Sequence, residues 1–418
     1  MTSRQRLLAA LDHKDPGRPP VDFGATAVTG MHVSTVSKLR RVVLGEKGYR
    51  VKVIEPYQML GEIDEALAEA LGVDIVGAVP PKTLFGFANT GWKELTLFDG
   101  TEVLVPGDFN ITKDDRGDWY IHPQGDTSVP PSGHMPAGGL YFDAICRQEP
   151  LDEDNLILED NLEEFGPLPE SDVDHLSAAA CNAAGRDMGA VLSCPGTGFG
   201  DIALVPAMWM KHSRGIRDVA EWYMATVTHR DFVYRIFQAQ CEIALANLAR
   251  LAEAIGDNVQ VAFTTGTDFG TQTGLFISRQ AYRDLYQPFH KQINDFIHAR
   301  TSWRTFIHSC GAVYDLIPDF IESGFDILNP VQCSACGMDA RRLKETFGKD
   351  LVFWGGAVDT QHTLPFGTSQ QVYEEVRRRI DIFNSDGGFV FNAVHNIQAK
   401  VPIENVLAMF DALGDSAG

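Results

Sequence analysis

The sequence predicts an α/β protein built as one (β/α)8 TIM barrel, and three observations support this fold class. Eight short, nearly continuous apolar runs recur along the 418 residues, and helical stretches separate most of them. Strands that are apolar on both faces are typical of parallel sheets covered by helices. No Gly-rich dinucleotide fingerprint follows the first run, which disfavours the alternative of a doubly wound open sheet.

The candidate strands follow one another along the whole chain. They are Arg18–Phe23, Val73–Gly77, Ala190–Cys194, Val259–Thr265, Trp303–His308, Phe325–Asn329, Leu351–Trp354 and Phe389–Asn392. Helix signals lie between them: Ser278 is expected to cap the helix before the fifth strand, and Thr368 with Gln371 forms a capping box before the eighth. Pro402 is expected at the first position of the last helix.

The stretch Trp92–Ile121 interrupts this alternation. It has the pattern of antiparallel hairpins, with turn signals at Asp99-Gly100 and Arg116-Gly117. We therefore expect a single barrel domain over residues 1–418, with a small inserted β-hairpin subdomain at residues 92–147 between the second and third barrel strands.

The amino-acid composition limits the kinds of partner that the protein can bind. Lys and Arg total 35 against 56 Asp and Glu, a formal net charge of −21, so nucleic acid and anionic membrane surfaces are poor partners. We find no apolar window long enough for a membrane span and no secretory signal. Seven cysteines in such a chain favour a reducing compartment. We expect a cytoplasmic protein with a small-molecule substrate; the oligomeric state stays open, with a homodimer among the options.

Barrel active sites lie at the carboxyl ends of the strands, so the residues that follow each strand are the candidates for chemistry. Asp268, His308 and Cys310 are the expected catalytic residues. The expected substrate-binding residues at the mouth are Asp22, Gln332, Asp359 and Asn392.

His308-Ser-Cys310 is the most specific motif. In an extended strand, residues i and i+2 point to the same side, so an imidazole and a thiolate can reach one ion, and both suit Zn²⁺. His395 is the preferred third ligand. Cys333 and Cys336 offer an alternative, a closed His-Cys-Cys-Cys structural site, which the sequence leaves open. Asp268 is a candidate fourth ligand, base or substrate anchor, or it caps a turn.

Four segments together match one family's pattern. They are Arg6–Val21, with Asp15-Pro-Gly-Arg-Pro-Pro-Val21; Ile277–Phe289; Phe306-Ile-His-Ser-Cys-Gly311; and the C-terminal third from Ile327 to Asn405. Through these segments the sequence resembles the uroporphyrinogen decarboxylase superfamily, and within it the branch of zinc-dependent, cobalamin-linked methyltransferases. The resemblance covers the barrel but not the insertion.

The resemblance implies a (β/α)8 barrel, a zinc ion held by His308, Cys310 and a later residue, and a corrinoid (cobalamin) cofactor carried by a partner protein. The branch uses a later Cys near the last strand, where this sequence has His395. The substrate class would be a methyl ether, amine or thiol. True decarboxylases carry an arginine-rich loop after the first strand; here Phe23–Val28 contains no arginine, which disfavours a substrate with many carboxylates.

Two other functions stay open. One is metal-independent decarboxylation of a small acid or a uroporphyrinogen-like substrate, which keeps the superfamily's chemistry. The other is a non-catalytic barrel that binds a ligand or a corrinoid protein at its mouth. Release of carbon dioxide without a corrinoid partner would favour the first, and ligand binding without turnover would favour the second.

Overall fold

A computed structural model describes residues 1–152 and 155–415 of the chain. Its strands, in chain order, are β1 Val51–Glu55, β2 Leu60–Gly61, β3 Ile75–Ala78, β4 Lys93–Thr96, β5 Glu102–Val105, β6 Ile111–Lys113, β7 Trp119–Ile121, β8 Gly133–Met135, β9 Asp143–Ala144, β10 Gly189–Ser193, β11 Val261–Thr265, β12 Arg304–His308, β13 Ile327–Asn329, β14 Val352–Trp354 and β15 Phe389–Val390.

The helices alternate with the strands of the barrel. In chain order they are α1 Ser3–Leu11, α2 Val33–Val43, α3 Glu65–Leu71, α4 Glu170–Gly185, α5 Val219–Thr228, α6 Arg230–Ile255, α7 Arg279–Ala281, α8 Gln287–Arg300, α9 Ile317–Glu322, α10 Ala340–Phe347, α11 Thr363–Phe366, α12 Ser369–Phe383 and α13 Ile403–Gly414. Short 3-10 turns and a π-helical turn at Tyr282–Tyr286, between α7 and α8, complete the set.

Seven parallel strands form one curved sheet in the order β15, β14, β13, β12, β11, β10, β3. The first expected strand is reduced to two parallel bridges, from Val21 to Phe391 and from Asp22 to Ile75. These bridges join the two edges of the sheet and complete the eighth strand position. The (β/α)8 fold class is confirmed, and the strands form where near-continuous apolar runs can be buried on both faces.

The barrel has an inner and an outer core. Inward-facing side chains such as Val261, Phe306 and Ile327 form one buried cluster, and Leu7 and Leu11 of α1 belong to it. The second and larger cluster contains the residues between the strands and the surrounding helices. Because side chains alternate along a strand, the residue two positions after Phe306, which is His308, faces the barrel interior at its carboxyl end.

The region before the third barrel strand carries two four-stranded sheets, with orders β2-β1-β5-β4 and β6-β7-β8-β9. The expected turns at residues 99–100 and 116–117 connect β4 to β5 and β6 to β7. The sequence did not predict α2, β1 or β2, and β1 pairs in parallel with β5 of the insertion. The division of the chain at residues 92–147 stays a prediction.

Local helix signals act as expected with one shift. The Ser278 side chain accepts from the Ala281 N–H, and Thr368 and Gln371 form the capping box. Pro402 precedes the first residue of α13 instead of occupying it. Across residues 1–152 and 155–415, no helix combines the length and apolar content that a bilayer crossing needs.

Candidate metal centre at the barrel mouth

The candidate centre is built by two strand ends that lie apart in the sheet. His308 is the last residue of β12, and Cys310 follows two positions later. His395 lies in the segment that follows β15. Strand alternation turns His308 towards the barrel axis, and the buried carboxyl ends of the strands bring the three side chains to the same mouth.

The imidazole of His308 is held in one tautomer. Its Nδ1 lies 2.5 Å from Oδ1 of Asn329, and the Asn329 amide nitrogen donates to the carbonyl oxygen of Trp354 at 2.9 Å. The second contact fixes the amide so that Oδ1 must accept, and Nδ1–H of His308 therefore donates to it. Nε2 is left with its lone pair, 3.4 Å from Sγ of Cys310. This arrangement is typical of metal-binding histidines.

His395 completes the group but is oriented differently. Its ring lies 5.3 Å from that of His308, centroid to centroid, at 71°. The Asn396 N–H donates to Nδ1 of His395 at 2.8 Å, which places the proton of the neutral ring on Nε2. Metal binding through Nε2 would therefore move that proton to Nδ1 and give up the hydrogen bond from Asn396.

Asp268 lies beside the thiol. Its Oδ1 accepts from the backbone N–H of Cys310 at 2.6 Å. Burial raises the pKa of this carboxyl above its ordinary value, against the lowering effect of the Cys310 N–H. Burial, together with the charge of Asp268, also raises the pKa of the Cys310 thiol well above its usual range.

Both histidines are neutral at physiological pH. Burial lowers the pKa of His308 to about 4 and that of His395 to about 3. Neutral imidazole is the form that binds a metal ion. One ligand atom from each of His308, Cys310 and His395 can be chosen so that all lie within 4.8 Å of one another. The spacing and chemistry of these three residues therefore fit a zinc ion. His308 is already in the tautomer that binds a metal through Nε2, whereas His395 is not.

Glycine keeps the two loops of the centre together. At Gly311, φ is +88°, and an added Cβ would lie 2.5 Å from the carbonyl oxygen of Thr271. A side chain at this position would separate the loop that carries Cys310 from the loop that follows Asp268. The His-x-Cys-Gly sequence thus has a steric reason in this structure.

We compared the chain with protein families, curated proteins and solved structures. The uroporphyrinogen decarboxylase (URO-D) family matches residues 202–415, more than half of the chain. The chain belongs to this family. Among solved structures, a methyltransferase from Methanosarcina mazei aligns with a TM-score of 0.54 at 15% identity, covering 99% of each chain, which shows a common fold. A search of curated proteins gave no match.

Two residues expected to bind substrate in this URO-D family member are engaged within the barrel wall. Asp22 is fully buried and accepts from the Trp354 indole N–H at 2.9 Å and from the Ala25 N–H at 3.0 Å. Asn392 donates to the carbonyl oxygens of Asp22 and Thr29. The Asn392 contact joins the first and last strand positions, and the Asp22 side chain connects the first position to the end of β14. Both side chains therefore help to hold the barrel closed in this arrangement.

Two others support the surrounding loops. Oε1 of Gln332 accepts from the Gly311 N–H at 2.8 Å, which connects the loop after β13 to the Cys310 loop. Asp359 accepts from the Gln361 N–H and contacts His362 within its own turn. Their expected role in substrate binding stays a prediction.

Cys333 and Cys336 are separate from the candidate centre. Within residues 1–152 and 155–415, the group of possible metal ligands consists of His308, Cys310 and His395, without either cysteine. Burial raises the pKa of the Cys333 thiol to about 11, and the Cys336 backbone N–H donates to the Gln272 carbonyl oxygen. The structure thus gives no geometric support to the His-Cys-Cys-Cys alternative.

The sequence marks Asn329 as a polar residue at a strand end without a specific role, and it gives no indication of a role for Asp201. Asn329 is the last residue of β13 and pairs across the sheet with His308, so the signal was an amide at a neighbouring strand end. Asp201 follows the Gly196–Gly200 loop and lies against the end of β11: an added Cβ on Gly266 would be 2.8 Å from its Oδ2. Burial, and then the charge of Asp268, raises the pKa of Asp201 to about 6.

Proposed function

We propose that the protein is a zinc-dependent methyltransferase that moves a methyl group between a small substrate and a corrinoid cofactor or corrinoid protein. The observation that carries the proposal is the prepared His308 imidazole. The Asn329 hydrogen bond keeps the ring proton on Nδ1, so Nε2 has a free lone pair and lies 3.4 Å from the Cys310 thiol sulfur. Membership of the family and the fold shared with a methyltransferase support the proposal.

In this proposal His308, Cys310 and His395 hold the zinc ion and leave one position for substrate. When bound, the ion supplies Lewis acidity to a coordinated thiol, ether or amine-bearing substrate. Asn329 fixes the tautomer and the direction of His308. Asp268 fixes the Cys310 backbone and places a carboxylate beside the substrate position.

A metal-independent decarboxylation lacks comparable support. The segment that follows the first strand position, residues 23–30, contains no arginine or lysine that could hold several carboxylates. The buried carboxylate at its start, Asp22, is already hydrogen-bonded to Trp354 and Ala25. The corrinoid partner is proposed to approach the open carboxyl end of the barrel, where the centre lies.

Metal analysis of purified variants tests the centre. We expect about one zinc per wild-type chain and a loss of zinc in Cys310→Ala. Cys194→Ala is the matched control, since it removes a partly buried cysteine at another strand end. Cys333→Ala and Cys336→Ala should keep zinc if the proposed ligands are correct and lose it if the alternative structural site is correct.

Turnover is tested with the zinc-loaded protein and free cob(I)alamin. Conversion of cob(I)alamin to methylcobalamin by a panel of methyl ethers, methylamines and methyl thioethers can be followed by absorbance. We expect methyl transfer with at least one class, and its loss in Cys310→Ala but not in Cys194→Ala. Full activity in a metal-free preparation, or carbon dioxide release without corrinoid, would contradict the proposal.

A further inference from the structure

A cavity of about 400 Å³ lies beside the candidate metal centre. It is enclosed by α4, α6 and the loops that follow β3 and β10, and we call it the side pocket. Asp201 lines it, while Asp268 accepts from Cys310 on the side of the centre. Oδ2 of Asp201 lies 2.8 Å from where a Cβ on Gly266 would be, and Gly266 is two residues before Asp268 in the loop after β11, so the pocket and the centre are neighbours.

The side pocket is a preformed site, because α6 holds its loops in place. Gln240 donates to the Gly196 carbonyl oxygen at 2.8 Å. Asn247 accepts from the Leu168 N–H and donates to the Gly166 carbonyl oxygen, both at 2.9 Å. These amides hydrogen-bond to backbone groups of the pocket wall, which fixes the shape of the cavity without a ligand.

The charged side chains that line the side pocket differ in burial and in whether they form ion pairs. The Arg217 guanidinium is buried and forms two hydrogen bonds with Glu164, at 2.6 and 2.9 Å, so this pair is neutral overall. Lys82 is exposed. Among the described residues, no lysine, arginine or histidine forms an ion pair with Asp201. Its carboxyl group accepts from two backbone N–H groups, that of Ala203, at 3.0 Å to Oδ1, and that of Gly266.

Aromatic and aliphatic side chains form much of the remaining wall. Trp209, Trp222 and Phe165 line the same cavity as Asp201. Aromatic side chains combined with a buried carboxylate that has no ion-pair partner among the described residues are features that bind a compact organic cation, through cation–π attraction and charge pairing. A neutral ligand would leave the carboxylate uncompensated, and an anion would be repelled by it.

We propose that the side pocket binds a substituted ammonium ion, that is, a methylated amine or quaternary ammonium compound, with Asp201 as its counter-ion. If the proposed methyltransferase function holds, an ammonium ion in the side pocket would identify methylated amines as the methyl donors. The role of the pocket in catalysis therefore rests on the proposed function. The binding itself depends only on the pocket.

Two isosteric probes test the proposal by calorimetry: choline, which is a quaternary ammonium alcohol, and 3,3-dimethylbutan-1-ol, in which carbon replaces the charged nitrogen. We expect choline to bind the wild-type protein at least about tenfold more tightly than the neutral alcohol. Asp201→Asn, which keeps an oxygen that can accept from Ala203, should remove this preference. Asp172→Asn, at another carboxylate of the same pocket, is the matched control and should keep it.

Equal binding of the two probes, a preference that survives Asp201→Asn, or no measurable binding of choline would overturn the proposal. Circular dichroism and the melting temperature establish that each variant is folded. Because these titrations need neither zinc nor turnover, choline binding without methyl transfer would leave the ammonium site standing and reject the methyltransferase. Methyl transfer from ethers alone, without choline binding, would do the reverse.

Discussion

The hydrogen bond between His308 and Asn329 gives the most direct test of the metal centre. In Asn329→Ala, the His308 ring loses the acceptor that keeps its proton on Nδ1, and its Nε2 lone pair is no longer directed to the mouth. Loss of such a supporting contact typically weakens metal binding about 10–100-fold, which corresponds to about 1.4–2.8 kcal/mol. We expect zinc affinity to fall by this amount.

The same substitution also reduces stability, so a matched control is needed. Asn329 is fully buried, and its removal leaves the Trp354 carbonyl oxygen and the His308 Nδ1–H without partners, at about 1–3 kcal/mol each. Asn405→Ala is comparable, because Asn405 is also buried and donates to the carbonyl oxygens of Leu364 and Gly367, in the region of α11 and α13.

Competition with a chromophoric zinc chelator measures the affinity, and denaturant unfolding measures the stability. Both variants should lose several kcal/mol of unfolding free energy, but only Asn329→Ala should lose zinc affinity. Wild-type affinity in Asn329→Ala, or an equal loss in Asn405→Ala, would refute the assignment of Asn329 as the residue that orients His308.

Two further predictions concern a buried carboxyl and a glycine. Burial raises the pKa of Asp22 from 3.8 to about 6, so its neutral form is favoured in the folded state, and its contribution to stability is lost as the pH rises through about 6. The unfolding free energy of wild type minus that of Asp22→Asn should therefore fall by about 2.4 kcal/mol between pH 4 and pH 7, whatever its offset, and a flat difference would contradict the shift. Gly311→Ala should lower the melting temperature and zinc content together, through strain of about 1–3 kcal/mol at a positive φ, and unchanged zinc content would disprove the steric role of this glycine.

The barrel was predictable because its strands are buried on both faces. The runs around Val191 and Phe353 are apolar without interruption, and this pattern differs from that of the amphipathic helices between them. The pairing of β1 with β5 was not predictable, because Val51 and Val103 are about fifty residues apart and neither segment carries information about its partner. Register of this kind depends on the tertiary structure.

The candidate site could be anticipated only where residue chemistry is specific. His308 and Cys310 stand out since few residue pairs at i, i+2 suit one metal ion. Asn329 carries no such signal, because an amide at a strand end serves many purposes and its role depends on two contacts at 2.5 and 2.9 Å. Asp22 was expected at the mouth, but the sequence could not predict its hydrogen bond to Trp354, because that residue is brought next to Asp22 only by the closed barrel. Its contact with the Ala25 N–H is local.

The parallel pairing of Val51–Glu55 with Glu102–Val105 has a consequence for protein engineering. A truncated chain without residues 92–147 would leave the first of these strands as an open sheet edge, with free N–H and C=O groups that recruit strands from other molecules. Residues 92–147 therefore cannot be deleted, or exchanged between homologues, without changing the strand that they pair with. A shorter barrel that stays monodisperse would require removal or redesign of residues 33–61 at the same time.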